Sequence, residues 1–125
     1  SMAHILLIDD DPQIIQMLTT CLVGNGYLVT TALDGSTGIH LLQQYQFDLV
    51  ITDIVMPHTD GFEVILSLLT QPQRPKIVVI SGGSINLPHV FLLETAQKLK
   101  ADRVLAKPVD IKKLLTVIHE ISPTT

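Results

Sequence analysis

Ile5-Leu6-Leu7-Ile8-Asp9-Asp10-Asp11-Pro12 runs four aliphatic residues directly into three acids and a proline. Consecutive apolar residues without polar alternation mark a strand covered on both faces. Asp11-Pro12 then supplies a capping acid and a residue suited to a first helical turn. The stretch predicts a buried strand, acids at its carboxyl end, and a helix. Outward from it the pattern recurs, with further strands expected over Leu28–Ala32, Asp48–Thr52, Ile77–Ile80 and Arg103–Ala106. The second of these is more mixed and is expected at an edge.

The first helix carries Ile14, Ile15, Leu18, Cys21 and Leu22 as one apolar stripe, with Cys21 read as packing, and ends at Gly24-Asn25-Gly26. A second follows Gly35 to about Tyr45. Asp60-Gly61-Phe62-Glu63 has capping-box spacing and leads into a third, through Phe62, Ile65, Leu68 and Leu69. A fourth is expected from about Pro88 to Lys100. The last runs from Asp110 to Ile121, with Ile111, Leu114, Leu115, Ile118 and Ile121 inward. Strand-helix alternation with short connections implies right-handed crossovers and a doubly wound α/β fold: a five-stranded parallel sheet with helices on both faces. In such sheets ligands bind beyond the carboxyl ends of the strands.

Composition agrees with this. The chain has 125 residues, 46% hydrophobic and only 16% charged, below the roughly 25% charged residues of an average domain. A single domain over residues 1–125 is expected, with Ser1 ahead of Met2 read as a cloning remnant and residues 122–125 as a tail. The apolar runs are far shorter than the roughly 20 residues of a membrane span. No basic, cleavable leader opens the chain, and one cysteine, Cys21, makes no intramolecular disulfide. A cytoplasmic location is the default expectation. Net charge is −4 with eight Lys plus Arg, so direct nucleic-acid binding has little electrostatic support.

The strand ends collect the reactive side chains: Asp9, Asp10 and Asp11 after the first strand, Asp53 after the third, Ser81-Gly82-Gly83-Ser84 after the fourth, and Lys107-Pro108 after the fifth. Clustered carboxylates either raise one another's pKa or recruit a cation. Carboxylate oxygens without Cys or His neighbours favour Mg2+. Lys107 offers a cation and Ser81 a small donor, a combination suited to an incoming phosphoryl group. Each residue also has a plainer reading. Asp11 is read as a helix cap and His58 as a solvated loop residue, while the glycine-serine run lacks the lysine and spacing of a P-loop. Adjacent acids after a buried strand have no packing use, which favours function for Asp9 and Asp10.

Ile8-Asp9-Asp10-Asp11, Asp53-Ile54-Val55-Met56-Pro57 with Asp60-Gly61 and Glu63, Ser81-Gly82, and Ala106-Lys107-Pro108 together closely resemble the receiver domains of bacterial two-component response regulators. The resemblance covers essentially the whole chain, and four motifs in this order and spacing are highly specific. It implies a flavodoxin-like fold with strand order 2-1-3-4-5. It further implies that Asp53 is the phosphoacceptor, Asp10 a direct Mg2+ ligand, Asp9 a ligand through water and the Val55 carbonyl a further ligand. Ser81 would be the switch hydroxyl and Lys107 the phosphoryl partner, followed by a cis bond to Pro108. The implied partner is a sensor histidine kinase or histidine phosphotransfer protein, and the implied activity is phosphoacceptance with autodephosphorylation rather than turnover of a substrate.

In that family the helix 88–100, strand 103–106 and helix 110–121 form the face used by effectors or by a second receiver. Phe91 is a candidate apolar anchor there. Two positions depart from the family pattern: Val104 stands where a large ring is usual, and Lys100 where glycine is usual before Ala101. The first predicts an altered relay from the site and the second an altered turn into the fifth strand. Two other functions compete. A haloacid-dehalogenase-type phosphatase would use Asp9 and Asp11, two apart after the first strand, but Pro12 and the lack of a cap-sized insertion oppose it. A pseudo-receiver would bind partners without phosphorylation, yet its signature, loss of an acid or the lysine, is missing.

Overall fold

The computed structural model describes residues 2–54, 61–82, 94, 97–98 and 100–122. The expected elements at Asp60, Val55, His58 and Phe91, and most of the helix 88–100, lie outside them. The strands are β1 (His4–Ile8), β2 (Leu28–Ala32), β3 (Leu49–Asp53), β4 (Lys76–Ser81) and β5 (Arg103–Ala106). The helices among the described residues are α1 (Pro12–Gly24), α2 (Gly35–Gln44), α3 (Gly61–Leu69) and α4 (Ile111–Ile121). All strand pairs are parallel, in the order β2-β1-β3-β4-β5. The third strand starts and ends one residue later than its apolar run suggested, which brings Asp53 into the sheet opposite Ile80.

Successive side chains alternate between the faces of the sheet, and the two cores follow that alternation. Ile5, Leu7, Leu49, Ile51, Val78, Ile80 and Leu105 pack with Leu18 and Leu22 of α1 and Leu114, Val117 and Ile118 of α4. Leu6, Ile8, Val50, Ile77 and Val79 pack with Leu42 of α2 and Val64, Ile65 and Leu68 of α3. This two-sided burial is why the centres of β1, β3 and β4 are runs of aliphatic residues. Leu28, at the start of the edge strand β2, is about half exposed.

Leu69 is exposed, while Val64 is buried beside Ile65 and Leu68. Two helical expectations need amendment. Val117 joins the buried face of α4. Cys21 is half-buried and belongs to neither core cluster; Asn25 Nδ2 donates to its carbonyl at 2.8 Å.

Gly38 sets how closely α2 approaches β1. A Cβ there would collide with Ile8 Cδ1 and lie 3.0 Å from Cγ1, in the fully buried residue that precedes Asp9. Overpacking costs about 1–3 kcal/mol, against which better helix propensity returns about 1 kcal/mol. Gly38→Ala is therefore expected to lower stability by about 1 kcal/mol, read as a lower urea midpoint.

Lys100 has φ 68°, and its N–H donates to the Gln97 carbonyl at 3.0 Å. The turn into β5 thus takes a left-handed conformation that glycine adopts freely and lysine does not. Lys100 holds that backbone geometry at an energetic cost. Lys100→Gly is expected to raise stability by up to about 1 kcal/mol, reduced by the greater freedom of glycine in the unfolded chain. A denaturant titration with unchanged slope checks this.

Candidate functional site

Parallel pairing in register brings the last residues of β1, β3, β4 and β5 to one edge of the sheet. Asp9 follows Ile8, and its N–H extends the ladder to the Ala32 carbonyl at 3.1 Å. Its side chain is fully buried. Oδ1 accepts from the Asp11 N–H at 2.9 Å. Oδ2 faces Lys107 Nζ at 3.0 Å as an ion pair, yet accepts no well-directed hydrogen bond among the described residues. Asp53, 5% exposed, ends β3 and takes Lys107 Nζ on Oδ2 at 2.7 Å. One ammonium therefore bridges two carboxylates. Asp10 is exposed, and ligand atoms of Asp9, Asp10 and Asp53 all lie within 4.8 Å of one another.

Lys107 is held by its backbone as well. Its N–H donates to the Ser81 carbonyl at 3.0 Å, continuing the β4–β5 ladder, and the Lys107-Pro108 bond is cis. Ser81, nearly fully buried, ends β4 opposite Ala106. Asp11 is the N-cap of α1, its Oδ1 accepting from Gln13 N at 2.9 Å. That carboxylate is occupied by the helix rather than turned to Asp53, which removes the second acid a haloacid-dehalogenase-type site requires.

Two contributors carried no assigned role in the sequence reading. A Cβ on Gly82 would sit 3.3 Å from both Cβ and Cδ of Lys107; the bare backbone lets the lysine stem cross the site. Its signal was the small-residue run after β4. Thr52, fully buried, donates from Oγ1 to the Asp53 carbonyl at 2.9 Å. A lone polar residue inside an aliphatic strand was the mark it left.

Burial pushes the Asp9 carboxyl above its usual value and the Asp53 charge adds to this, while the Asp11 N–H and Lys107 pull the other way. Burial alone would lower Lys107, but hydrogen bonding and charge from Asp53, then Asp9, outweigh it and the net direction is up. Three carboxylates cluster where one ammonium pairs with two of them, one of their oxygens is buried without a directed donor, and the donor set is all oxygen. Those features fit a hard divalent cation. The arrangement can accept positive charge among the acids and can neutralise negative charge arriving beside Asp53.

A model of the response regulator receiver domain family matches residues 5–119. The chain belongs to that family, and hence to the receiver domains of two-component signalling. It is 35% identical over 119 residues to the transcriptional regulatory protein GlrR of Escherichia coli, covering 94% of this chain and 26% of that protein. It is 30% identical over 120 residues to the response regulator ArlR of Staphylococcus aureus, covering 96% and 52%. The chain thus spans about a quarter to about half the length of these curated relatives. Among solved structures it is similar to a receiver domain protein from Methanospirillum hungatei, with 27% identity, TM-score 0.84 and coverage of 96% and 93%. A chemotaxis response regulator of Vibrio cholerae matches at 29% identity and TM-score 0.83, covering 97% and 99%. The flavodoxin-like fold with order 2-1-3-4-5 is the one the motifs implied. Among the described residues no helix is long and apolar enough to cross a membrane.

Proposed function

We propose that residues 1–125 form one phosphoacceptor unit in which Asp53 takes a phosphoryl group from a phosphohistidine of a sensor histidine kinase or histidine phosphotransfer protein. The observation that carries this is Lys107 Nζ held between Asp53 Oδ2 and Asp9 Oδ2 at 2.7 and 3.0 Å. Asp9, Asp10 and Asp53 would hold Mg2+, with the Val55 carbonyl proposed as a further ligand. Bound there, the cation supplies neutralisation of charge on the transferring group.

Asp53 attacks phosphorus in line; the new P–O bond forms as the P–N bond breaks, and the imidazole leaves with the bonding electrons. Lys107 stabilises the equatorial oxygens throughout. Water later cleaves the acyl phosphate, restoring the Asp53 carboxylate and releasing inorganic phosphate. While the mark lasts, Ser81 donates to the phosphoryl oxygens, and that shift biases the face formed by 88–100, 103–106 and 110–121 toward a second copy or an effector. Val104 is partly buried against the α2–α3 core, so the relay through this face proceeds by aliphatic packing. A cytoplasmic setting suits the proposed kinase partner.

Intact-mass analysis after incubation with acetyl phosphate and Mg2+ tests the reading. One phosphoryl adduct per chain, suppressed by a chelator and decaying on standing, is expected. Catalytic hydrolysis of a phosphoester with no adduct would overturn it in favour of a phosphatase.

A further inference from the structure

We propose that Asp11 is a positioning residue for the cation site, acting through its main chain on Asp9. The proposal rests on the reading of Asp9, Asp10 and Asp53 as divalent-cation ligands. Asp11 is not itself a member of that cluster. Its backbone is extended, φ −92° and ψ 109°, and three contacts hold it there. Oδ1 accepts from Gln13 N at 2.9 Å, the carbonyl accepts the first helical bond from Ile15 N at 3.1 Å, and the N–H points back to Asp9 Oδ1 at 2.9 Å. Pro12 adds a local bias, since a residue before proline is steered to extended conformations.

The consequence lies in what Asp9 can do with its two oxygens. With Oδ1 taken by a main-chain donor, Oδ2 is left directed at Lys107, and the carboxylate stays within the cluster with Asp10 and Asp53. Loss of the side-chain cap frays the first turn of α1, and the Asp11 N–H is then no longer aimed. Asp9 becomes free to rotate its carboxylate away from the shared space. Partners that orient a ligating group in this way affect metal affinity strongly even though they never touch the ion.

The test is calorimetric titration of MgCl2 into the unphosphorylated wild type, Asp11→Ala, Asp11→Asn and Asp10→Ala, with melting temperatures measured alongside. Asp11→Ala is expected to bind about tenfold more weakly. Asp11→Asn, which lacks the charge but caps as well as aspartate, is expected to stay within about twofold of wild type. Asp10→Ala, which removes a ligand, is expected to lose more than either. Equal losses in Asp11→Ala and Asp11→Asn would assign the effect to charge and overturn the positioning role, as would unchanged affinity in Asp11→Ala. If Asp11→Ala does not fold, Asp11→Ser, which keeps a capping oxygen without the charge, must stay within about twofold of wild type, and a tenfold loss there overturns the positioning role. Absence of Mg2+ binding in the wild type would instead strike the cation-site reading beneath the proposal.

Discussion

Asp53→Asn is expected to take up no phosphoryl group from acetyl phosphate and Mg2+, under conditions in which the wild type takes one. The substitution is nearly isosteric and leaves an amide oxygen able to accept from Lys107, so the fold and the 2.7 Å contact need not be lost. What disappears is the anionic nucleophile, because an amide oxygen at neutral pH does not displace a leaving group from phosphorus on a comparable timescale. The effect is all or none and is read by intact mass. An equal adduct on the variant would place the phosphoryl group on another residue and defeat the assignment of Asp53.

Lys107→Met is expected to destabilise the metal-free protein at neutral pH by about 2 kcal/mol, and Mg2+ is expected to recover much of that loss. The lysine side chain is 20% exposed, whereas the Asp9 side chain is fully buried and that of Asp53 nearly so. Removing the ammonium leaves two low-lying carboxylates with Asp10 nearby and no bridging cation. Because the site opens to solvent at one edge, the cost falls below that of a fully enclosed pair. The pH dependence has a definite sign. Asp9 sits above its ordinary value of 3.8 in the folded state, so its contribution to stability is fully present below that value and is lost as pH rises through the folded one. Lys107 is among the groups holding that folded value down. In the variant the folded value climbs further, and the loss at neutral pH deepens while acidification relieves it. Urea titrations at pH 5 and pH 7.5, with and without Mg2+, read all of these outcomes; a variant as stable as wild type at pH 7.5 without Mg2+ would contradict the argument.

Much of this molecule is written in short-range pattern. Ile5–Ile8 and Ile77–Ile80 could be read as doubly covered strands because burial on both faces leaves no place for polar alternation, and both are fully buried. Asp11-Pro12 announced the start of α1 because capping depends on adjacent residues alone. The order of the strands is a different matter: periodicity records which face is covered, not which neighbour is paired, and only the motifs implied 2-1-3-4-5. Which apolar residues of α3 face the core is not written in its pattern, because Val64, Ile65, Leu68 and Leu69 offer more apolar positions than the core takes, and Leu69 is left exposed.

The site was legible as a set of strand-end residues, since a parallel sheet in register carries them to one edge. Its internal arrangement was not. That Asp9 is buried and Asp10 exposed depends on which of two adjacent acids faces the sheet interior. The crossing of Lys107 over Gly82 depends on a contact between two segments far apart in the chain. Lys100 illustrates the converse: the departure from glycine was visible, but the left-handed backbone it occupies became apparent only from the geometry.

The bridge between Lys107 and Asp53 joins positions 54 residues apart, and it bears on when a newly made chain becomes competent. During synthesis Asp9, Asp10 and Asp53 leave the ribosome well before β5, so the acids exist for a time without the ammonium that reconciles them. Late, long-range closure of this kind is slow relative to local helix formation. A chain halted before Arg103 would carry Asp53, the proposed phosphoacceptor, without the ammonium that pairs with it. On the proposed function, completion of the last strand is therefore what readies Asp53 for a donor.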